Sequence, residues 1–157
     1  MSDDRNDSPD YRNLLSYLAG RNWQAEEIEP GSALRVLQAA ELCPLKYYFQ
    51  IKHELDEFLF YIVPEITLLE QMRPPVAEYV CRANAGLRIG NFELDFRDGQ
   101  VCFKSSVNFK GIGLSERLID NVIRPALVAF DEFFPGMAEV IAGVETPARA
   151  IAKAEYG

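Results

Sequence analysis

The chain has 157 residues, 48% of them hydrophobic, with a net charge of −8 and a pI near 4.7. That length suits one domain with a real core and is too short for two. The acidic balance and the scattered lysines and arginines exclude the basic footprint of a nucleic-acid-binding or membrane-binding surface.

The opening MSDDRNDSPD has no apolar segment of the kind a secretion signal needs, and the longest apolar run, FLFYIV, is far below membrane-spanning length. A soluble, cytoplasmic protein is the expectation. Residues 1–7 are polar and acidic and are expected to be disordered. Ser8, Pro9 and Asp10 then read as a helix start: a capping hydroxyl, a proline at the first helical position and an acid near the positive end of the dipole. Tyr11, Leu14, Leu15 and Leu18 form one apolar stripe at helical spacing, ended by Gly20.

From Trp23 to Val63 the hydrophobic period moves towards two, and β-branched and aromatic residues dominate. The pattern predicts three strands, Leu34–Glu41, Lys46–Lys52 and Phe58–Val63, with Glu26–Ser32 and Leu42–Leu45 as connections. If the last two join through His53–Asp56, Ile51 faces Phe58, Phe49 faces Phe60 and Tyr47 faces Ile62 on the core side. The other side carries Tyr48 beside Tyr61, Leu59 beside Gln50, and a Lys52–Glu57 charge pair. That outer side is unusually apolar for a solvated surface. Either a helix of this chain or a second polypeptide must cover it.

Arg73-Pro74-Pro75 opens a second helix whose buried stripe is Val76, Tyr79, Val80 and Ala83, broken at Gly86. A β-hairpin follows. Asp98-Gly99 is a two-residue turn signal, which predicts Leu94 opposite Phe103, Phe96 opposite Val101 and Glu93 opposite Lys104. After Gly111 and Gly113, Ser115 caps a third helix with Ile119, Val122, Ile123, Ala126, Leu127 and Phe130 on its apolar face. Pro125 predicts a kink or break inside it, and Pro135-Gly136 predicts its end. Met137–Ala142 is read as one further short turn. Thr146-Pro147 then starts a possible tail helix over residues 143–157, with too few large apolar residues to hold itself. The order helix, three strands, helix, two strands, helix describes an α+β domain over residues 8–142 with a mainly antiparallel sheet.

The run Arg82-Ala83-Asn84-Ala85-Gly86-Leu87-Arg88-Ile89-Gly90-Asn91-Phe92-Glu93-Leu94-Asp95, followed by Asp98-Gly99, resembles the YbjN family, whose members share an Asn, a Leu, a Gly-x-Phe and a hairpin turn at this spacing. The resemblance covers residues 8–142. It implies a fold similar to the type III secretion chaperones, small acidic proteins that pair as homodimers and hold an extended client segment. It also implies a bacterial sensory transduction regulator without an assigned catalytic activity. The motif residues look structural: Gly86 and Gly90 for a tight exit from the helix, Asn84 to cap it, Phe92 and Leu94 to bury.

Chemistry-bearing combinations give weaker signals. His53-Glu54-Leu55-Asp56-Glu57 departs from the metalloprotease H-E-x-x-H at its second ligand and lies at a strand turn, so His53 reads as a solvated turn residue. The cysteines Cys43, Cys81 and Cys102 are odd in number, lack C-x-x-C spacing and share no zinc-ligand spacing with His53; they read as small, reduced, apolar residues. Gly111-Ile112-Gly113 has Glu116 where a phosphate loop needs its third glycine, which leaves a flexible connector. Glu93 and Asp95 share one face of a strand and invite a paired-carboxylate reading; a solvated face, with Glu93 on Lys104 and Asp95 beside Cys102, is the plainer one.

No catalytic, metal or cofactor residues are therefore assigned. The reading favoured by the residues is a non-enzymatic module, chaperone-like or regulatory, that works as a homodimer and binds a polypeptide through Tyr48, Leu59, Tyr61 and Val63. The alternative is a small-ligand sensor or hydrolase with a pocket between helices and sheet, using Glu93, Asp95 or His53.

Overall fold

In the computed structural model, residues 4–157 are described. Of the segment expected to be disordered, residues 1–3 lie outside the described residues, and residues 4–7 form a turn in which the Arg5 carbonyl accepts the Ser8 amide at 3.3 Å.

Helix α1 spans Pro9–Gly20, and the Ser8 hydroxyl accepts the Tyr11 amide at 3.1 Å as its cap. Its buried face is Tyr11, Leu14, Tyr17 and Leu18. Leu15, expected in that stripe, is 41% exposed, and Tyr17 takes its place because its hydroxyl reaches Asp120 on the long helix at 2.7 Å.

The sheet has six strands, β1 (Ala25–Glu29), β2 (Ala33–Gln38), β3 (Leu45–Lys52), β4 (Glu57–Pro64), β5 (Asn91–Asp95) and β6 (Gln100–Asn108), in the order β1-β2-β3-β4-β6-β5. Every neighbouring pair is antiparallel. The α+β class with an antiparallel sheet therefore holds, with one strand more than the pattern predicts. That strand is β1, expected to be a connection. All five of its residues are exposed, so no hydrophobic alternation marks it; it is held by backbone pairing to β2 and by Glu27, which accepts from the Tyr11 hydroxyl.

The central pairing follows the predicted register: Tyr47 faces Ile62, Phe49 faces Phe60 and Ile51 faces Phe58. Phe49 and Phe60 stack at 5.2 Å, and Trp23 lies against both Tyr47 and Phe49. These side chains point to the same face as Leu34, Val36, Phe92, Val101 and Phe103, and all of them join one core with residues from every helix.

Helix α2 (Arg73–Gly86) buries Val76, Tyr79, Val80 and Ala83, as its spacing predicts. The β5–β6 hairpin is shifted from the predicted register by two residues: Phe92 faces Phe103, Leu94 faces Val101 and Glu93 faces Cys102. A two-residue turn would require positive φ at both Asp98 and Gly99, and only Gly99 has it, at 76°. The chain instead makes a four-residue loop, Phe96–Gly99, in which the Gly99 amide donates to the Asp95 carbonyl at 2.8 Å. A shift of two preserves the faces, so Phe92 and Leu94 still point inward while Phe96 is 54% exposed.

The approach to this hairpin also differs in detail from the expectation. Gly90, with φ 74°, is required, because a Cβ there would stand 2.6 Å from the Phe103 ring. Gly86 has no positive φ. The Asn84 side chain does not cap its own helix; it takes both backbone groups of Phe92, accepting the amide at 2.8 Å and donating to the carbonyl at 3.0 Å.

Helix α3 runs without interruption from Glu116 to Ile141, capped by Ser115, whose hydroxyl accepts the Leu118 amide at 3.1 Å. Neither Pro125 nor Pro135-Gly136 ends it. Beyond Pro135 the Tyr79 hydroxyl reaches the helix and donates to the Phe133 carbonyl at 2.5 Å. Gly136 makes room for it, since a Cβ there would lie 2.5 Å from that hydroxyl. Helix α4 (Pro147–Tyr156) is capped by Thr146 and packs on α2 and α3 through Ala150 and Ile151. Its polar tie is Lys153, which bridges Glu139 and Glu145 at 3.1 Å each.

Candidate functional site

All four helices contribute to the core on the inner face of the sheet, through residues such as Leu14, Tyr79, Phe130 and Ile151. Tyr48, Leu59, Tyr61 and Val63 stand outside that core, on the opposite face. The even-numbered positions of β3 and the odd-numbered positions of β4 share this side because side chains alternate along a strand. Tyr48 lies directly opposite Tyr61, and Leu59 and Val63 flank Tyr61 along β4, opposite Gln50 and Lys46. The structure thus brings all four predicted residues together on a face that no helix overlies among the described residues.

The register of the outer strands extends this apolar centre into a row that pattern reading of β3 and β4 alone does not reveal. Across the sheet the row runs Glu26, Arg35, Tyr48, Tyr61, Lys104, Asn91. A cation therefore flanks the tyrosine pair on each side. Arg35 is held by Glu26 at 2.5 Å, and Lys104 pairs with Glu93. Lys46 is tied to Glu65 at 3.5 Å. The face therefore presents an apolar centre bordered by ion pairs, with Arg35 and Lys104 next to the tyrosines in the row. The depression over it has a volume of about 910 Å³ and also takes in Ile28, Ala33 and Ile66.

Burial raises the Tyr61 phenol above its ordinary value against the opposing pull of Lys104. Both groups are therefore in the form that donates hydrogen bonds at neutral pH. Leu59 is only 9% exposed and lies between Gln50 and Ser106 of the neighbouring strands. The partly exposed apolar surface belongs to Tyr48, Tyr61 and Val63.

Of the other candidates, Glu93, Asp95 and Cys102 line one depression on the β5–β6 hairpin, and His53 stands apart from it. Glu93 is paired with Lys104 across a diagonal, with the Cys102 thiol 3.9 Å away. Burial first, and then the Glu93 charge, pushes that thiol up to about 11, so it is a poor nucleophile. Asp95 faces Gln100 and not Cys102. Its carboxylate is locked to the Arg97 guanidinium at 2.7 Å and to the Arg97 amide at 2.9 Å, which holds it down to about 2. Each carboxylate is thus engaged by its own cation, Glu93 by Lys104 and Asp95 by Arg97, which leaves no free carboxylate pair for acid–base work. His53 Nε2 bonds the Gly31 carbonyl at 2.7 Å, joining two turns. Neither carboxylate nor His53 lines a pocket between helices and sheet. Among the described residues, no group of three or more His, Cys, Asp or Glu is placed to hold a metal ion, and no helix is long and apolar enough to cross a membrane.

Gly111 and Gly113, both with positive φ, form a connector fastened to α1: the Asp10 carboxylate accepts the Leu114 amide at 2.8 Å and Asn13 donates to the Leu114 carbonyl at 2.9 Å. With Asp10 seated against it, the connector is unsuited to a phosphate.

Residues 10–139 match the family model YbjN, described as "Putative bacterial sensory transduction regulator". Among solved structures, the chain is similar to the crystal structure of YbjN, "a putative transcription regulator from E. coli", with a TM-score of 0.60. The likeness covers 86% of this chain and 91% of that one at 13% identity, which is a likeness of fold. No curated protein matches the chain.

Proposed function

Since the chain belongs to the YbjN family, we propose that it is a non-enzymatic regulatory module, chaperone-like in architecture, that works as a homodimer and binds a polypeptide on the outer face of its sheet. The observation that carries this reading is the uncovered face itself: adjacent Tyr48 and Tyr61, with Val63 beside them, in a depression rimmed by paired charges. An apolar aromatic centre with a polar rim is the composition of protein interfaces, and Tyr side chains offer large contact area at little cost in conformational entropy. The rim charges are already neutralised in pairs, so the face attracts neither nucleic acid nor a charged membrane.

A photo-crosslinking residue in place of Tyr61, compared with one in place of exposed Val128 on α3, tests the surface in cells of the source organism. Adducts to a polypeptide from position 61 alone support the reading; identical adducts from both positions, or none from position 61, refute it. Light scattering over the micromolar range tests the homodimer, and a strict monomer removes that part.

A further inference from the structure

On the inner side of the sheet, a cavity of about 220 Å³ opens between the β2–β3 loop and the middle of α3. Its floor is Leu45, Phe130 and Phe134, all nearly closed to solvent, with the two rings stacked at 4.6 Å. Leu42, 54% exposed, forms its lip. Glu41 and Asp131 stand at its rim, exposed, and neither has an ion-pair or hydrogen-bond partner among the described residues. Pro135 also lines the cavity, and because it lacks an amide hydrogen the Asp131 carbonyl has no α-helical donor. No side chain lining this cavity carries a hydrogen-bond donor.

An apolar floor and two carboxylates without ion-pair partners, with no donor among the lining side chains, select for a ligand that brings the donors and the positive charge itself. An anion is repelled by the rim and by the net charge of −8. A bare metal ion finds too few oxygens over a hydrocarbon floor. The volume is below the roughly 300–1,000 Å³ of pockets for drug-sized molecules, so the ligand has the size of an amino-acid side chain. We propose that this cavity binds a small organic cation, an apolar body carrying an ammonium group: the body rests on Leu45, Phe130 and Phe134, and the ammonium lies between Glu41 and Asp131. The site is on the other side of the sheet from Tyr48 and Tyr61 and stands independently of any polypeptide bound there.

Phenethylammonium, its neutral isostere phenethyl alcohol and the anion phenylacetate, titrated into the full chain under amide NMR, provide the test. The ammonium is expected to bind saturably in the roughly millimolar range for a ligand of this size, shifting amides of residues 40–45 and 130–136. The alcohol is expected to bind about two- to fivefold more weakly, as one partly solvated charge pair dictates. Asp131→Asn and Glu41→Gln, both at exposed positions, should each remove most of the ammonium's advantage while leaving the folded spectrum intact. Equal binding of alcohol and ammonium, insensitivity to both substitutions, shifts located elsewhere, or no saturable binding would each overturn the assignment.

Discussion

Replacing Tyr79 by Phe removes one oxygen from the centre of the molecule and tests why α3 survives Pro135. The side chain is fully buried and its hydroxyl donates to the Phe133 carbonyl at 2.5 Å. Removing it takes that donor from a buried carbonyl next to the turn that already lacks the Pro135 amide. A buried group stripped of its partner costs about 1–3 kcal/mol. The expected loss is therefore about 1–3 kcal/mol, or a fall in Tm of roughly 2–10 °C for a chain of this size. Urea unfolding with an unchanged slope reads it directly.

Gly136→Ala completes a double-mutant cycle. Alanine in a helix is ordinarily better than glycine by about 1 kcal/mol. Here its Cβ falls 2.5 Å from the Tyr79 hydroxyl and 3.1 Å from Cζ, so the sign inverts and the substitution destabilises. With the hydroxyl already gone the nearest obstacle recedes to 3.1 Å, and the two losses should sum to less than their separate values. A Tyr79→Phe cost below about 0.5 kcal/mol, or strict additivity of the two substitutions, would refute the claim that this hydroxyl carries the helix past its proline.

Two further outcomes are expected. Asn84→Ala strips the Phe92 amide of its partner and leaves the Phe92 carbonyl only the Asn91 side-chain amide, at 3.2 Å, and should cost about 1–2 kcal/mol in urea unfolding; it also reopens the β5 edge, so light scattering should show more self-association than in the parent chain. Asp95, held down to about 2 by Arg97 against an ordinary 3.8, binds its proton more weakly when folded. Its contribution is therefore complete above the unfolded value and is lost as pH falls from about 4 to about 2. Asp95→Asn should flatten the pH dependence of stability in that interval, and a carboxyl titration near the ordinary value in the folded protein would contradict it.

The residues on their own carried much of this architecture. Ser8, Ser115 and Thr146 announce helix starts through hydroxyls that accept amides three residues on, and the alternation in β3 and β4 sets their register pair by pair. The apolar outer face is equally legible, because a strand with large side chains on both faces has only two explanations, and Tyr48, Leu59, Tyr61 and Val63 follow from the pairing alone. β1 escapes because Glu26, Glu27 and Glu29 bury nothing, and hydrophobic periodicity is blind to a strand held by its backbone. The Asp98-Gly99 signal placed the turn but not its length, since slips by two residues leave the faces unchanged, and in the structure only Gly99 takes the positive φ that a two-residue turn needs at both positions.

What only the tertiary structure decides are relations between residues distant in the chain. Sequence-local rules condemn α3 at Pro135-Gly136, yet a tyrosine 54 residues earlier enters the broken turn and a glycine makes room for it. The tail, too weak to hold itself, rests in the cleft of α2 and α3. Arg35 and Lys104 border the tyrosine pair only because β2 and β6 add on either side of it. Glu41 and Asp131 line one cavity over Phe130 and Phe134 only because the β2–β3 loop lies against the third helix. Local pattern fixes which face of an element is apolar; which face meets which is decided by packing, where burial of every stripe must be satisfied at once.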